Sequence, residues 1–191
     1  MGYGARSGPV AQWVTAVAAY PRGQRPPERY AAADMTDPKA AFHAWRTRAP
    51  GRVIGRGHPA GDFLEAYDWR LLEERAGYLR IEAGLPEQVR NPRGQLFGGF
   101  TPTYVDMIAL MTVHAGKERP QQPTSWLATT NMRVDYFEPI VGPTFVVASE
   151  LEKRRGRTCF VVTKFFQDDV LAAHAVTTMR EVGLDRVIGD A

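Results

Sequence analysis

The sequence has few residues of the types that build disulfides and metal centres. It contains one cysteine, Cys159, among 191 residues. No internal disulfide is therefore possible, and a reducing, cytoplasmic location is expected. Four histidines are scattered without metal-ligand spacing. The dinucleotide-binding, P-loop, nucleophile-elbow and zinc-protease motifs are also missing. The sequence therefore predicts neither a metal site nor a bound cofactor.

Long apolar runs and a strong charge excess are missing too. No apolar run reaches the roughly 18 residues that a membrane helix needs. The net charge of +3 is too small to indicate nucleic-acid binding, but it is compatible with an acidic small ligand. We therefore expect a protein that binds neither membrane nor nucleic acid. Its length is sufficient for a single domain with a sizeable core.

The first 60 residues differ from the rest of the chain. They are rich in proline and glycine, and they contain no sustained strand pattern. We interpret residues 1–60 as an N-terminal extension with a helix at 36–49, and residues 61–185 as the main domain. Residues 61–76 have an amphipathic pattern that predicts a second helix, which could pass into a strand.

From residue 77 the patterns become clearer. Alternating apolar residues predict a strand at 77–85, and an apolar run predicts a helix at 101–115. Four further strands follow, with short hairpin-like links that favour antiparallel neighbours: 127–139, 143–153, 158–166 and 171–182. The helix is apolar nearly all round, and no second long apolar helix follows it. We therefore predict an α+β fold in which an antiparallel sheet curls around one central helix.

A glycine-rich loop precedes this helix, and the carboxylate of Asp106 interrupts the apolar run. A carboxylate buried there would need a partner or a function. The spacing resembles the hotdog-fold acyl-CoA thioesterases of the phenylacetate-pathway type, whose pattern N-x-x-G-x-[LV]-H-G-G precedes a helical aspartate. The matching residues are Asn91-x-x-Gly94-x-Leu96-Phe97-Gly98-Gly99.

Two later stretches, NMRVDYFEPIVG and KRRGRTCFVVTKFFQDDVLAAHAVTTM, also resemble that family. The resemblance covers residues 77–179 and implies a hotdog domain. It departs at Phe97, where the family often has histidine, so no role of that histidine carries over. The backbone N–H groups of Gly98 and Gly99 do not depend on it.

Thioester hydrolysis passes through an oxyanion, which backbone N–H groups at a helix N-terminus can stabilise. Gly98 and Gly99 fit that role, although a plain helix-entry turn is the structural alternative. Asp106 would be a general base or a nucleophile; otherwise it is a buried acid bonded to Thr103 or Tyr104. Two turns of helix separate the glycines from Asp106 by about 10–12 Å. A shared site in a homodimer would bring together groups from two subunits.

The resemblance also implies roles for residues outside the glycine turn. Asn91 would orient the attacking water or the thioester carbonyl, unless it only forms an Asx turn. Thr129 would lie near the acid, unless it is simply a strand former. A basic hairpin turn would contact coenzyme A phosphates, unless it is only a solvated turn. Its arginines are Arg154, Arg155 and Arg157.

The sequence thus predicts an acyl-CoA thioesterase that releases a free acid and coenzyme A, assembled as a homodimer or homotetramer. A non-catalytic acyl-CoA-binding module and a hotdog hydratase or dehydratase are the alternatives. Those hydratases use an Asp–His pair in their own motifs, and no such pair occurs near the glycine turn. The acyl group stays open, as does the choice between coenzyme A and an acyl-carrier protein. An apolar pocket is expected from Phe97, Phe100, Met107 and Phe137.

Overall fold

The structure is a computed structural model that describes residues 47–117 and 125–183. Helix α1 (Pro59–Phe63) is followed by a 3-10 turn and by strands β1 (Arg70–Arg75) and β2 (Tyr78–Gly84). A loop with a second 3-10 turn leads to helix α2 (Thr101–His114). The remaining elements are strands β3 (Ser125–Tyr136), β4 (Thr144–Arg155), β5 (Thr158–Gln167) and β6 (Val170–Gly183). The six strands form one antiparallel sheet in the order β1-β2-β4-β5-β6-β3.

Helix α2 is the centre of this fold. It contacts strands β2 to β6, and ten of its residues are buried. Thr101 and Pro102 begin it, since proline in the first turn loses no helical hydrogen bond. Just after its end, Gly116 has a φ of 65°, and a Cβ there would lie 2.6 Å from the backbone nitrogen of Ala76. The predicted helix and the curled antiparallel sheet around it are confirmed.

The helix predicted at 61–76 is wrong over most of its length. Helix α1 ends at Phe63, and Glu65 has a left-handed φ of 52° that a continuous helix does not tolerate. Residues Arg70–Arg75 instead form β1, which pairs with β2 across a tight turn at Gly77 (φ 71°). Strand pairing therefore overrides the helical pattern here. The sequence pattern allowed the helix to pass into a strand, and β1 is that strand. The helix predicted at 36–49 lies outside the described residues, apart from 47–49, which have no regular structure.

The hairpin-like link expected between the strands at 127–139 and 143–153 is also wrong. β3 pairs with β6, not with β4, while β4 lies between β2 and β5. The connecting loop instead bonds to several elements: Phe137 and Glu138 donate to the Ala172 carbonyl, and Leu85 donates to the carbonyl of Pro143. β3 is therefore an edge strand of 12 residues.

The core extends upstream of residue 61. Val53 and Ile54 are each 1% exposed and belong to the main hydrophobic cluster. Trp69 is also buried, and its ring stacks on Tyr104 of α2 with centroids 5.3 Å apart. The domain boundary at residues 60 and 61 stays a prediction, but residues that precede it help to cover the central helix. None of the helices in the described ranges is long and apolar enough to span a membrane.

Candidate active site

Gly98 and Gly99 lie in an exposed turn immediately before α2. In the described part of the chain, no acceptor is found for their backbone N–H groups. The carbonyl of Gly98 accepts a hydrogen bond from the Tyr136 hydroxyl at 2.7 Å, which ties the turn to the end of β3. N–H groups at a helix N-terminus carry partial positive charge, so this turn is suited to bind an oxygen that gains negative charge.

Phe97, which replaces the family's histidine, lies against this turn. A Cβ on Gly99 would be 2.8 Å from Cε1 of Phe97, so the ring takes the space that a side chain would need. The Phe97 ring is 52% exposed and meets Phe100 edge-on at 5.9 Å. Phe63 of α1 is 5.4 Å from Phe100. Of the four residues expected to form an apolar pocket, Phe97 and Phe100 contact each other beside the glycines, Phe137 lines a cavity there, and Met107 is buried in the core. The acyl pocket itself stays a prediction.

The side chain of Asn91 is engaged inside its own loop. Its Oδ1 accepts from the backbone N–H groups of Arg93 at 2.9 Å and Gln95 at 3.1 Å. Its Nδ2 donates to Oε1 of Gln95 at 3.2 Å. This is the Asx-turn geometry considered for Asn91 from the sequence. Its role toward water or a thioester carbonyl stays a prediction.

Asp106 differs from the sequence-based expectation in one respect, because its side chain is not buried. It is the exposed residue of a helix whose other positions are buried or partly buried. It lies close to edge strand β3, and the Thr129 hydroxyl donates a hydrogen bond to its Oδ1. The alternative partner Tyr104 instead donates to the Gly84 carbonyl at 3.3 Å. The structure therefore brings Asp106 and Thr129 together and leaves the carboxylate open to solvent.

His58 was not among the residues predicted for the site. It is half-buried at the start of α1, where its Nδ1 accepts a hydrogen bond from the Gly61 N–H at 3.1 Å. Burial lowers the pKa of His58, while the carboxylates of Asp62 and Asp106 act to raise it. Of these three influences on the pKa of His58, that of Asp106 is the smallest. No spacing rule connects them, because one precedes the sheet and the other is in the central helix.

The basic turn lies at the opposite end of β6 from the glycine turn. Arg154 forms an ion pair with Glu181 at 2.5 Å, and Glu181 also accepts from Ser125 at the start of β3. Tyr136, at the other end of β3, contacts Gly98. Arg155 and Arg157 are exposed in the β4–β5 hairpin. Arg154 is therefore held by a partner, whereas the other two arginines face solvent.

An open cavity of about 310 Å³ lies beside the glycine turn. Gly98, Thr101, Tyr136 and Phe137 are among its lining residues, but Asp106 and Thr129 are not. The carboxylate of Asp106 therefore does not line the cavity beside the glycine turn. No cluster of histidine, cysteine or acidic residues within 47–117 and 125–183 could hold a metal ion.

The sheet curled around α2, with a glycine turn before that helix and an acid within it, defines a hotdog-fold protein. The chain matches no protein-family model and no curated protein sequence. Solved structures do share its fold. One is a phenylacetic acid degradation-related protein from Ralstonia eutropha JMP134, at 23% identity and a TM-score of 0.56; the match covers 73% of this chain and 98% of that one.

Two further structures carry thioesterase names. A hypothetical thioesterase protein with coenzyme A from Streptococcus pneumoniae TIGR4 is 17% identical, with a TM-score of 0.53. That match covers 61% of this chain and 87% of the other. A thioesterase from Haemophilus influenzae is 10% identical, with a TM-score of 0.55 and coverages of 65% and 83%. At these identities the structural likeness shows a shared fold, which agrees with the hotdog domain expected from the sequence.

Proposed function

We propose that this protein is an acyl-CoA thioesterase that hydrolyses an acyl or aryl thioester to a free acid and coenzyme A. The observation that carries the proposal is the pairing of two functional groups on one helix. Its N-terminal turn offers the exposed N–H groups of Gly98 and Gly99, and its middle offers the exposed carboxylate of Asp106. The fold likeness to proteins named thioesterases, one of them with coenzyme A, supports the same assignment.

In this mechanism the thioester carbonyl oxygen lies against the glycine N–H groups. Asp106 takes a proton from water, and the hydroxide so formed attacks the carbonyl carbon. The tetrahedral intermediate places its negative oxygen at the helix N-terminus, where the N–H groups stabilise it. The carbon–sulfur bond then breaks, and the departing thiolate takes the proton that Asp106 had accepted from water, which restores the carboxylate. A direct attack by the carboxylate, through an anhydride that water then cleaves, uses the same residues.

Thr129 would orient the base. Its hydroxyl hydrogen-bonds to Oδ1 of Asp106, which fixes the plane of the carboxylate and leaves Oδ2 for water. Replacing the family's histidine by Phe97 makes the carbonyl site more apolar on one side. A less polar surrounding strengthens the interaction between the glycine N–H groups and the developing charge.

The active form is proposed to be a homodimer with sites shared between subunits. Within one subunit, the cavity at Gly98 does not include Asp106. The long edge strand β3 carries Thr129 and leaves one side unpaired in the described chain, and an edge of this length favours pairing with another strand. Pairing two such edges would add a partner subunit beside Asp106. A tetramer of two such dimers is a further proposal.

Coenzyme A is proposed to interact with the basic hairpin through its phosphates. Arg155 and Arg157 are exposed and suited to this contact, since guanidinium groups bind phosphate in a bidentate manner. Arg154 would have to leave Glu181 to take part. Its contribution is therefore expected to be smaller than that of the other two.

A hydratase acting on an enoyl thioester is the second candidate, since His58 is a histidine whose pKa the carboxylate of Asp106 acts to raise. One assay separates the possibilities. Purified protein is incubated with acyl-CoA, aryl-CoA and enoyl-CoA thioesters, with a thiol-trapping dye to detect free coenzyme A and chromatography to detect hydrated product. A hydrolase releases thiol, a hydratase forms a hydroxyacyl thioester without thiol, and a binding module does neither. Asp106→Asn is the matched control for chemistry that depends on this residue.

A further inference from the structure

Strand β3 contacts both of the groups that the proposed reaction uses. The Thr129 hydroxyl donates a hydrogen bond to Oδ1 of Asp106. The Tyr136 hydroxyl donates to the carbonyl of Gly98 at 2.7 Å. One edge strand therefore reaches the carboxylate in the middle of α2 and also the glycine turn that precedes this helix.

A bulge in β3 makes both contacts possible. Thr129 and Tyr136 are an odd number of positions apart, so in a regular strand their side chains would point to opposite faces of the sheet. The register against β6 shifts between Thr129 and Asn131, which leaves one extra residue in β3. Thr129 then lies opposite Met179, which is buried. Tyr136 lies opposite Ala173, which is buried as well. Both side chains are therefore on the face of the sheet that covers α2.

The ring of Tyr136 also contacts the glycine turn. A side chain on Gly98 would begin 3.7 Å from Cε1 and 3.9 Å from the hydroxyl oxygen of Tyr136, so the ring lies alongside the glycine backbone. Tyr136 is nonetheless 54% exposed, and it lines the open cavity beside the turn together with Gly98. Burial in the core therefore does not account for a tyrosine at this position.

The hydrogen bond to Gly98 determines the direction of a neighbouring N–H group. In a trans peptide the carbonyl oxygen and the following amide hydrogen point in opposite directions. Because the Gly98 carbonyl is directed at the Tyr136 hydroxyl, the N–H of Gly99 points away from that hydroxyl. A hydrogen bond to the carbonyl also polarises the peptide group, which makes its N–H a stronger donor.

This peptide joins two glycines, so its orientation needs an anchor. With no Cβ on either side, rotation of the peptide meets little steric resistance. A rotated peptide would present the Gly98 carbonyl, with its partial negative charge, where the Gly99 N–H should meet the developing oxyanion. The bond from Tyr136 opposes this rotation.

Resting on the proposed function, we propose that Tyr136 is a positioning residue that holds the Gly98–Gly99 peptide with its N–H toward the thioester. The hydroxyl acts through the peptide and transfers no proton in the reaction. Thr129 acts on Asp106 in a comparable way, so β3 sets the geometry of both functional groups of α2.

The first experiment needs no substrate. Tyr136→Phe keeps the ring that lies on Gly98 and removes the hydroxyl. Tyr104→Phe is the matched control, because the Tyr104 hydroxyl also donates to a glycine carbonyl, that of Gly84 at 3.3 Å. NMR on labelled protein follows the carbonyl carbons of both glycines and the amide of Gly99. We expect Tyr136→Phe to shift the resonances of Gly98 and Gly99, and Tyr104→Phe to shift only that of Gly84. Unchanged Gly98 and Gly99 resonances in Tyr136→Phe would overturn the proposal.

The second experiment measures steady-state kinetics and thermal melting. We expect Tyr136→Phe to lower kcat and kcat/KM together by about tenfold, with KM unchanged, because the oriented N–H acts mainly in the transition state. Its melting temperature should stay close to that of the parent, since the side chain is exposed. Tyr104→Phe should show the converse, a lower melting temperature with the parent kcat, because it loses a hydrogen bond of a buried side chain. A parent-like kcat in Tyr136→Phe, or an equal loss of kcat in both variants, would overturn the proposal.

A pH profile separates positioning from proton transfer. If the Tyr136 hydroxyl only positions the peptide, kcat/KM of the parent and of Tyr136→Phe should follow the same pH dependence and differ by a constant factor. If the variant instead loses the basic limb of the profile, Tyr136 donates a proton in the reaction and the positioning role is wrong.

The substrate-free measurement keeps failure of this inference apart from failure of the proposed function. If the parent protein cleaves no thioester, the proposed function fails, and the NMR comparison still decides whether the Tyr136 hydroxyl holds the Gly98–Gly99 peptide. If thioesters are cleaved but Tyr136→Phe has the parent kcat, the function stands and the role of Tyr136 is rejected.

Discussion

The Thr129 hydroxyl donates a hydrogen bond to Oδ1 of Asp106, so the edge strand and the middle of the central helix meet at the carboxylate. The contact lies at a bulge in β3, between Thr129 and Asn131, where its register against β6 shifts. Bulges re-aim side chains, and this one occurs beside the acid. Because Asp106 is exposed there, its carboxylate has no burial cost that a catalytic role would have to offset.

Asp106→Asn is expected to lower kcat by about a hundredfold or more, because the amide can neither take a proton nor attack as a carboxylate. KM should change little. The melting temperature should hold, since substitutions at exposed positions are usually worth within about 0.5 kcal/mol. Steady-state kinetics and thermal melting, measured on the same preparation, check the predicted activity and the predicted stability. A variant that melts early but hydrolyses at the parent rate would contradict the mechanism.

Thr129→Val should reduce kcat by about tenfold, because it removes the hydrogen bond that orients Asp106 while keeping the shape of the side chain. Thr129→Ser is the matched control, since it keeps the hydroxyl and should retain most of the activity. Steady-state kinetics on the two variants decide the point. Equal losses in both would indicate that strand packing, not the hydroxyl, matters at this position.

A shared site predicts complementation between two inactive variants. Gly99→Ala should lose activity because the new Cβ would displace Phe97 and crowd the N–H groups. When Gly99→Ala and Asp106→Asn subunits are co-expressed, half of the dimers are mixed and each has one intact site, so about a quarter of the parent activity should return. Light scattering tests whether the protein is a dimer. No recovery in mixed dimers would place both groups in one subunit's site.

Replacing Arg155 and Arg157 should raise KM for coenzyme A thioesters and leave kcat nearly unchanged. The difference in KM between variant and parent should shrink as the salt concentration rises, because salt screens the charges. Arg154→Ala should have a smaller effect on KM, because Glu181 already binds that side chain. Kinetics with full coenzyme A thioesters and with pantetheine thioesters measure the difference. If the double variant has the same KM as the parent for both kinds of thioester, the hairpin makes no contact with the nucleotide.

The lowered pKa of His58 predicts a loss of stability in acid. Above the ordinary value of 6.5 the imidazole is neutral in both folded and unfolded chains, so it has no pH-dependent effect. Below 6.5 the unfolded chain binds the proton more readily, and the folded state loses stability until the folded pKa is passed. Thermal melting from pH 8 to pH 5 should therefore decline less in His58→Asn than in the parent. Equal declines in melting temperature in the two proteins would contradict the lowered pKa of His58.

Local pattern was sufficient to predict several elements. The apolar run after Phe100 predicted a helix that begins at Thr101, as observed. Alternating residues predicted β2, β5 and β6 to within a few positions, because strand periodicity is carried by the chain itself. The spacing from Asn91 to Asp106 carried the resemblance to hotdog thioesterases, and the fold agrees with it.

Tertiary structure decided what depends on distant partners. β1 is a strand because β2 is available to pair with it, although its sequence has a helical pattern. β3 lies at the sheet edge because it pairs only with β6, a strand distant in sequence, with Ser125 opposite Gly183 and Tyr136 opposite Ala173. That edge location leaves Asp106 exposed beside Thr129. Periodicity reports which face of an element is apolar, but only packing decides which elements meet and which side chains stay in contact with water.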